Sequence, residues 1–225
     1  MAKALTGARI FTGDAFLDGH AVVIEGARIK AVVPEAETGG MTRRDLGGGL
    51  LAPGFIDVQV NGGGGALLND SPSVDTVRTI ATAHRRFGTV GMLPTVITDA
   101  PQVIARAVAS VARAMAEGVP GVLGIHIEGP FLDVARKGAH AARFIRDMEE
   151  ADADAIAGFA MYCPVMVTLA PNRVRPALVQ RLAQSGVLVS LGHSEASFAE
   201  ARREPVEDLI EEPLELEPLE DDEGL

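Results

Sequence analysis

Three apolar runs constrain the fold of this chain more than any other feature of its sequence. Residues 122–127, 164–170 and 187–192 (VLGIHI, PVMVTLA and VLVSLG) lack the regular polar alternation of a strand that has one face in water. Such runs are typical of parallel strands that helices cover on both faces. Segments with a helical spacing of apolar residues, such as residues 101–115, separate the strands. The alternation predicts an α/β fold built from repeated strand–helix units.

The predicted elements describe an incomplete barrel. We count about five strand–helix units, so the predicted fold class is α/β, an incomplete (β/α)8 TIM-like barrel preceded by a small N-terminal β segment. The predicted barrel elements are strands at 54–60, 89–97, 122–127, 162–169 and 187–191, a helix capped by Ser71 with Pro72 at its first position, a helix started by Asp99 and Pro101, and a helix at 174–184. Five strands cannot close an eight-stranded barrel, so we expect an open sheet edge and a poorly stable chain.

The pattern of predicted elements and the distribution of charge together divide the chain into three parts. Residues 1–50 predict short strands with a hairpin at 21–33, and we assign them to a small β-sandwich-like segment. Residues 51–203 form the partial barrel. Residues 204–225 hold eleven of the 31 acidic residues and none of the 20 basic residues, which leaves 20 of each kind in the rest of the chain. The net charge of −11 therefore belongs to an acidic tail, which we predict to be disordered.

The composition excludes several classes of protein. A formally neutral body lacks the basic surface of a general nucleic-acid binder, so we expect no nucleic-acid partner. The single cysteine, Cys163, can form neither an internal disulfide nor a cysteine zinc cluster. The N-terminal residues lack the apolar run of a signal peptide, and no stretch is long enough for a membrane span. We therefore expect a cytoplasmic protein without a membrane partner.

Polar side chains lie at the predicted strand ends, where a barrel carries its chemistry. They are Asp57, Gln59 and Asn61 at the first strand, His126 and Glu128 at the third, and His193 and Ser194 at the fifth. A carboxylate such as Glu128 at the end of an apolar strand is costly unless a metal or another cation is paired with it. Glu128 and His193 together supply two of the three protein ligands of a typical catalytic metal site. His126 precedes Glu128 by two residues and is expected to face the same side, although a single strand-end histidine more often has a structural role.

Five motifs in order carry a resemblance to a known family. They are residues 53–57 (PGFID), 126–131 (HIEGPF), 137–140 (KGAH), 167–171 (VTLAP) and 192–194 (GHS). In this order they resemble the N-acetylglucosamine-6-phosphate deacetylases of the amidohydrolase superfamily. Most members of that superfamily follow the first motif with His-x-His, whereas this chain has Gln59-Val60-Asn61. The resemblance extends over residues 5–203.

The resemblance implies a metal-dependent hydrolase that converts N-acetylglucosamine 6-phosphate and water to glucosamine 6-phosphate and acetate. Glu128 and His193 match two metal ligands of the family, and the absence of the His-x-His pair implies one divalent metal ion, zinc or similar. Gln59, Ala139 and His140 are the implied substrate-binding residues, with His140 polarising the acetamide carbonyl. The implied partner is a small-molecule sugar phosphate, and the complete family enzyme is implied to be a homo-oligomer.

The resemblance stops where the acidic tail begins. The family continues with a Thr-His-Leu-(Phe/Tyr)-Asn-Ala-Met segment, which supplies the third metal ligand, and later with a catalytic Asp; the sequence contains neither, so the catalytic residue is unknown. We expect a truncated, weakly active or inactive enzyme whose C-terminal half was replaced through a frameshift, a fusion or a gene-model error. The alternatives are a non-catalytic remnant and an interaction protein that offers the leucines of its tail to a partner. Gln59-Val60-Asn61 disfavours another amidohydrolase, such as a dihydroorotase or a deaminase.

Overall fold

The structure is a computed structural model that describes residues 2–202. Met1 and residues 203–225, which include the predicted acidic tail, lie outside the described residues. The chain divides into two compact units, with the boundary between Phe55 and Ile56. Among residues 2–202, no helix has the length and apolar character that crossing a membrane requires.

The N-terminal unit consists of short strands in two sheets. Its strands are β1 (Lys3–Thr6), β2 (Arg9–Phe11), β3 (Phe16–Leu17), β4 (His20–Glu25), β5 (Arg28–Pro34), β6 (Thr42–Asp45) and β7 (Leu50–Leu51). One sheet has the order β5-β4-β1-β6 and the other the order β3-β2-β7. The strands β4 and β5 pair antiparallel on either side of Gly26, whose φ of +61° suits the tight turn. This is the hairpin that the sequence predicts at 21–33.

The C-terminal unit alternates strands and helices. Its elements are β8 (Phe55–Val60), β9 (Gly62–Gly63), β10 (Ala66–Leu67), α1 (Val74–Arg85), β11 (Thr89–Ile97), α2 (Pro101–Ala116), β12 (Ile125–Glu128), α3 (Glu150–Phe159), β13 (Val165–Leu169), α4 (Pro176–Gln184), β14 (Leu188–Leu191) and α5 (Phe198–Ala201). Five strands form a sheet in the order β14-β13-β12-β11-β8, and the pairs β11–β12, β12–β13 and β13–β14 are parallel. Because the strand order follows the sequence, each helix from α1 to α4 connects two neighbouring strands. The predicted α/β class is confirmed, and the sheet is consistent with part of a barrel.

The helices bury their apolar faces against this sheet. Ala107 and Val111 of α2 are fully buried, as the helical spacing of the sequence predicts. Ile80 of α1 and Leu182 of α4 are likewise inaccessible to water. Burying an aliphatic side chain of this size stabilises the fold by about 1.5–3 kcal/mol, so these stripes hold the helices on the sheet.

The two outer strands of the sheet leave apolar side chains in water. The strands β8 and β14 stand at opposite ends of the strand order. Ile56 of β8 is 65% exposed, and Leu188 of β14 is 61% exposed. Within the described residues, the sheet is therefore open at both edges, as five strands without closure require.

Helix α3 is absent from the sequence predictions. Its sequence, EADADAIAGF, has only a weak helical period of apolar residues, and Ala153 and Ile156 are its buried residues. The signal for its start is local, because the Glu149 side chain accepts from the backbone of Asp152 while the Asp152 side chain accepts from the backbone of Glu149. A reciprocal cap made of two acidic residues is harder to identify from sequence than the usual Ser or Thr cap.

Two strands, β12 and β13, begin three residues later than the sequence predicts. The strand β12 starts at Ile125 instead of residue 122, because Val122 makes only an isolated bridge to Met92. The strand β13 starts at Val165 instead of residue 162, and Tyr162 lies in the turn that follows α3 with 78% of its surface exposed. Apolar residues in these turns extend the predicted strands without joining the ladder.

The predicted cap of α1 is wrong by two residues. The N-cap is Ser73, whose hydroxyl accepts a hydrogen bond from the backbone N–H of Thr76 at 3.2 Å. Pro72 therefore precedes the helix and does not occupy its first position. A Ser followed by Pro is a common sequence pattern at helix starts, but the N-cap is the residue whose side chain accepts from a backbone N–H of the first turn. Ser73 accepts this bond from Thr76, three residues later.

We expect Ser73→Ala to lower the free energy of unfolding by about 1 kcal/mol, because the variant leaves a backbone donor of α1 without its cap. Ser71→Ala, two residues earlier, is the matched control and should change stability by less than about 0.5 kcal/mol. Urea unfolding followed by circular dichroism measures both. A larger loss in Ser71→Ala than in Ser73→Ala would restore the original assignment of the cap.

Candidate metal centre

The carboxyl ends of the strands bring the predicted site residues to one edge of the sheet. Glu128, the last residue of β12, is in register with Ile97 of β11 and Thr168 of β13. His140 lies in the segment that follows β12, and His193 lies in the segment that follows β14. Because parallel strands end at the same edge, residues that are far apart in sequence become neighbours here.

Glu128 is the centre of the cluster. Its carboxylate is buried, and Oε1 lies 2.9 Å from Nε2 of His193, 2.9 Å from the amide nitrogen of Gln59 and 3.8 Å from Nε2 of His140. One nitrogen or oxygen atom from each of Glu128, His140 and His193 lies within 4.8 Å of the other two, an arrangement that can hold a metal ion. Gln59 lies within β8 and not after it, but its amide still reaches the carboxylate.

The surroundings of Glu128 and His193 favour opposite charges on the two groups. Burial raises the pKa of Glu128, but the imidazoles of His140 and His193 lower it further, to about 2. Burial lowers the pKa of His193, but the carbonyl of Arg136 and the carboxylate of Glu128 raise it overall. Without a metal, the pair therefore favours a carboxylate next to a protonated imidazole.

His193 presents a ring nitrogen with a free lone pair when it is neutral. Its Nδ1 lies 2.8 Å from the carbonyl oxygen of Arg136. Because a carbonyl only accepts, Nδ1 carries the hydrogen and Nε2 has the lone pair that faces Glu128. A lone pair and a carboxylate oxygen 2.9 Å apart repel each other unless a proton or a metal ion lies between them. This is the tautomer and the second hydrogen bond that a metal-ligating histidine requires.

His140 has the opposite tautomer. Its Nδ1 lies 3.3 Å from the backbone nitrogen of Thr98 and 2.7 Å from the Thr98 hydroxyl. A backbone N–H only donates, so Nδ1 accepts and Nε2 carries the hydrogen. His140 therefore directs an N–H donor, and not a lone pair, toward Glu128. Of the three residues in the cluster, Glu128 and His193 offer lone pairs to a metal, and His140 offers a hydrogen bond.

His126 has a structural role. It is buried, its Nδ1 donates to the carbonyl oxygen of Val58 at 2.9 Å, and its Nε2 accepts from the Thr168 hydroxyl at 2.7 Å. Burial lowers its pKa, so the ring is neutral. Both nitrogens are occupied, and no lone pair is left for a metal or a substrate. This is the structural role that a single histidine at a strand end most often has.

The remaining predicted residues are Asp57, Asn61, Ala139 and Ser194. Asp57 accepts a hydrogen bond from the backbone of Gln59, and Ala139 is exposed beside His140. The amide nitrogen of Asn61 is buried without a hydrogen-bond partner among the described residues. Ser194 donates its hydroxyl to Asn172 at 2.9 Å.

Sequence reasoning missed the residues that orient the two imidazoles. Thr98 directly follows β11, so the rule that selects polar residues at strand ends could have found it. The carbonyl of Arg136 gives no signal in sequence, because every residue has one. A histidine's tautomer therefore depends on backbone atoms whose positions only the fold determines.

Known proteins resemble this chain over most of its length. Residues 4–51 match the family model described as the NagA composite domain. N-acetylgalactosamine-6-phosphate deacetylase from Shewanella sp. (strain ANA-3) is 39% identical over 198 residues, which cover 84% of this chain and 49% of the relative. N-acetylglucosamine-6-phosphate deacetylase from Haemophilus influenzae is 34% identical over 206 residues, which cover 90% of this chain and 53% of the relative.

A solved structure shares the fold. The crystal structure of N-acetylglucosamine-6-phosphate deacetylase from Pasteurella multocida matches with a TM-score of 0.84 and 31% sequence identity, over 90% of this chain and 54% of that chain. The chain spans about half the length of the curated relatives it matches.

In the metal-free protein, we expect the contribution of Glu128 to stability to depend on pH. Because folding lowers its pKa from 4.5 to about 2, the contribution is complete above pH 4.5 and is lost as the pH falls toward 2. In urea unfolding with a chelator present, Glu128→Gln should lower stability most near about pH 5, and the difference from wild type should shrink toward about pH 2.5.

Glu37→Gln, at an exposed glutamate, is the matched control for this pH series and should follow the wild type throughout. A stability difference for Glu128→Gln that stays constant from about pH 5 to about pH 2.5 would contradict the assignment of a lowered pKa to this carboxyl.

Proposed function

We propose a function for this chain from the premise that it belongs to the N-acetylglucosamine-6-phosphate deacetylase family of the amidohydrolase superfamily, whose N-terminal part it matches. The proposed function is metal-dependent hydrolysis of the acetamide of an N-acetylated amino-sugar 6-phosphate. The observation that carries the proposal is the pair of opposite histidine tautomers beside Glu128, since one suits a metal ligand and the other suits a donor to a carbonyl oxygen.

Glu128 and His193 would hold one divalent ion, zinc or similar. A carboxylate oxygen and a neutral imidazole nitrogen are ligands that zinc prefers in catalytic sites. When bound, such an ion polarises an amide carbonyl and lowers the pKa of water toward about 7. The amide of Gln59 donates to the same carboxylate oxygen and would hold its orientation. Gln59-Val60-Asn61 takes the place of the His-x-His pair that supplies metal ligands in most of the superfamily. We therefore propose a single ion.

His140 would polarise the carbonyl of the acetamide. Its Nε2–H is directed into the site by Thr98, which fixes the ring through Nδ1. Such a donor stabilises the negative charge that develops on the carbonyl oxygen during hydrolysis. Removing one donor of this kind typically costs about 10²- to 10³-fold in rate. Ala139, exposed next to His140, would contact the sugar.

The identity of the sugar is part of the proposal. We propose N-acetylglucosamine 6-phosphate as the substrate, with N-acetylgalactosamine 6-phosphate as the second candidate, because the relative from Shewanella carries that name at 39% identity. The two sugars differ only at the hydroxyl of C4, which lies far from the acetamide. The metal, Glu128 and His140 would therefore act on both in the same way.

We expect His193→Gln to abolish zinc binding and His140→Gln to leave it within about threefold of wild type. The reason is that His193 offers a lone pair to the metal whereas His140 offers a hydrogen. Isothermal titration calorimetry of the purified chain with zinc measures the affinity. His20→Gln, at a histidine of the N-terminal unit, is the matched control. Equal losses for His140→Gln and His193→Gln would show that both imidazoles are ligands and would contradict the assigned tautomers.

We expect the zinc-loaded chain to release acetate slowly from N-acetylglucosamine 6-phosphate. Glu128→Ala should abolish release, and His140→Gln should lower the rate constant by about 10²- to 10³-fold while zinc stays bound. A coupled assay for acetate measures the reaction with both sugar phosphates. A chain that binds zinc and releases no acetate from either sugar would favour the non-catalytic alternative.

A further inference from the structure

We propose that Asp133 is the positioning residue for His193. The proposal rests on the function proposed above, because it assigns Asp133 the task of holding the imidazole where a metal ligand is needed. Asp133 lies in the segment after β12, sixty positions before His193 in sequence, and only 8% of its surface is exposed. A buried carboxylate requires donors on every side, and its donors here lead to the loop that carries His193.

Asp133 makes two hydrogen bonds to this loop, one on each side of Ser194. Its backbone N–H donates to the carbonyl oxygen of His193 at 3.0 Å, and its Oδ2 accepts from the backbone N–H of Glu195 at 2.8 Å. Two bonds that bracket one residue fix the direction of the backbone as well as its position. The carbonyl of Arg136, three residues after Asp133, holds Nδ1 of the same imidazole at 2.8 Å. A single short segment therefore orients both the backbone and the ring of His193.

Asn172 completes a clamp, by which we mean the hydrogen bonds from Asp133 and Asn172 that hold residues 193–195. Its side-chain nitrogen donates to both carboxylate oxygens of Asp133, at 2.9 and 2.8 Å, and its oxygen accepts from the Ser194 hydroxyl at 2.9 Å. Arg173 Nε lies 3.2 Å from Oδ1 of the same carboxylate. The carboxylate thus forms an ion pair with Arg173 and accepts hydrogen bonds from neutral donors. Every residue from 193 to 195 is hydrogen-bonded to Asp133 or to Asn172.

The backbone of His193 needs this support. Its φ is +51°, and it has the only positive φ among the described residues other than glycine. The left-handed region is unfavourable for a residue with a β-carbon, so this conformation persists only where the surroundings impose it. If the clamp is removed, rotation to a negative φ relieves the strain and moves the imidazole away from Glu128.

The test compares variants that break the clamp with one that does not. Asp133→Asn turns one acceptor into a donor that opposes the Asn172 amide or the Glu195 N–H. Asn172→Ala keeps Asp133 but removes the link to Ser194 and the two hydrogen bonds that the Asn172 amide donates to the Asp133 carboxylate. Asp147→Asn is the matched control, since Asp147 is exposed and pairs with Arg173 at 3.0 Å through Nη1. Circular dichroism and urea unfolding establish that each variant is folded.

We expect Asp133→Asn to weaken zinc binding by about 10- to 100-fold, which is the usual effect of losing a group that orients a ligand. Asn172→Ala should weaken it in the same direction, and Asp147→Asn should leave it unchanged. Wild-type affinity in both clamp variants, even with lowered stability, would overturn the proposal. An equal loss in Asp147→Asn would overturn it too, because that variant changes only the pairing of Arg173.

A second measurement needs no metal. In long-range ¹H–¹⁵N spectra of the chelator-treated chain, His193 should show a hydrogen on Nδ1 that exchanges slowly because Arg136 holds it. His193→Gln assigns the signal. The signal should be lost or exchange quickly in Asp133→Asn and persist in Asp147→Asn; persistence in Asp133→Asn would overturn the proposal. If the wild type shows this pattern but binds no zinc, the metal function fails while the positioning of His193 by Asp133 stands.

Discussion

The buried carboxylate of Glu128 is the constraint on which the site depends. It ends an apolar strand, where an isolated charge would strongly destabilise the fold, so the surroundings must supply donors or cations. Gln59, His140 and His193 supply them, each from a different strand end or connecting segment. The parallel register of the sheet makes this convergence possible, because it brings all the strand ends to one edge. The side chains of three distant segments thus converge on one buried charge.

Backbone atoms decide what each imidazole does. His193 meets a carbonyl at Nδ1, His140 meets an N–H at Nδ1, and His126 has both ring nitrogens occupied. The same side chain is accordingly a metal ligand candidate, a hydrogen-bond donor and a structural group within one small region. The difference comes from which backbone group faces the ring, and not from the residue type or from burial alone. This is why a count of histidines near a carboxylate overstates the number of ligands.

The sequence predicts the parts of this architecture that depend on periodicity. The strand β11 has its predicted limits. The rule that places chemistry at strand ends selects both Glu128 and His193, and the structure brings the two side chains together. The cap at Ser73, the helix α3 and the role of His126 depend on individual hydrogen bonds, which periodicity does not encode. Thr98 was identifiable from the sequence in principle, since it follows a strand. Asp133 was not, because its importance arises from donors that the fold brings to it.

Each strand of the five-stranded sheet pairs with the member of that sheet that precedes it in sequence, from β8 through to β14. Pairings between sequence neighbours close shorter loops than pairings between the two ends of the chain would, and therefore have a smaller entropic cost. Gln59 and Glu128 lie on β8 and β12 and are synthesised before His193, which follows β14. In the order of synthesis, the closest imidazole of Glu128 is therefore the last of its three partners to be made, because His193 follows Gln59 and His140 in the sequence.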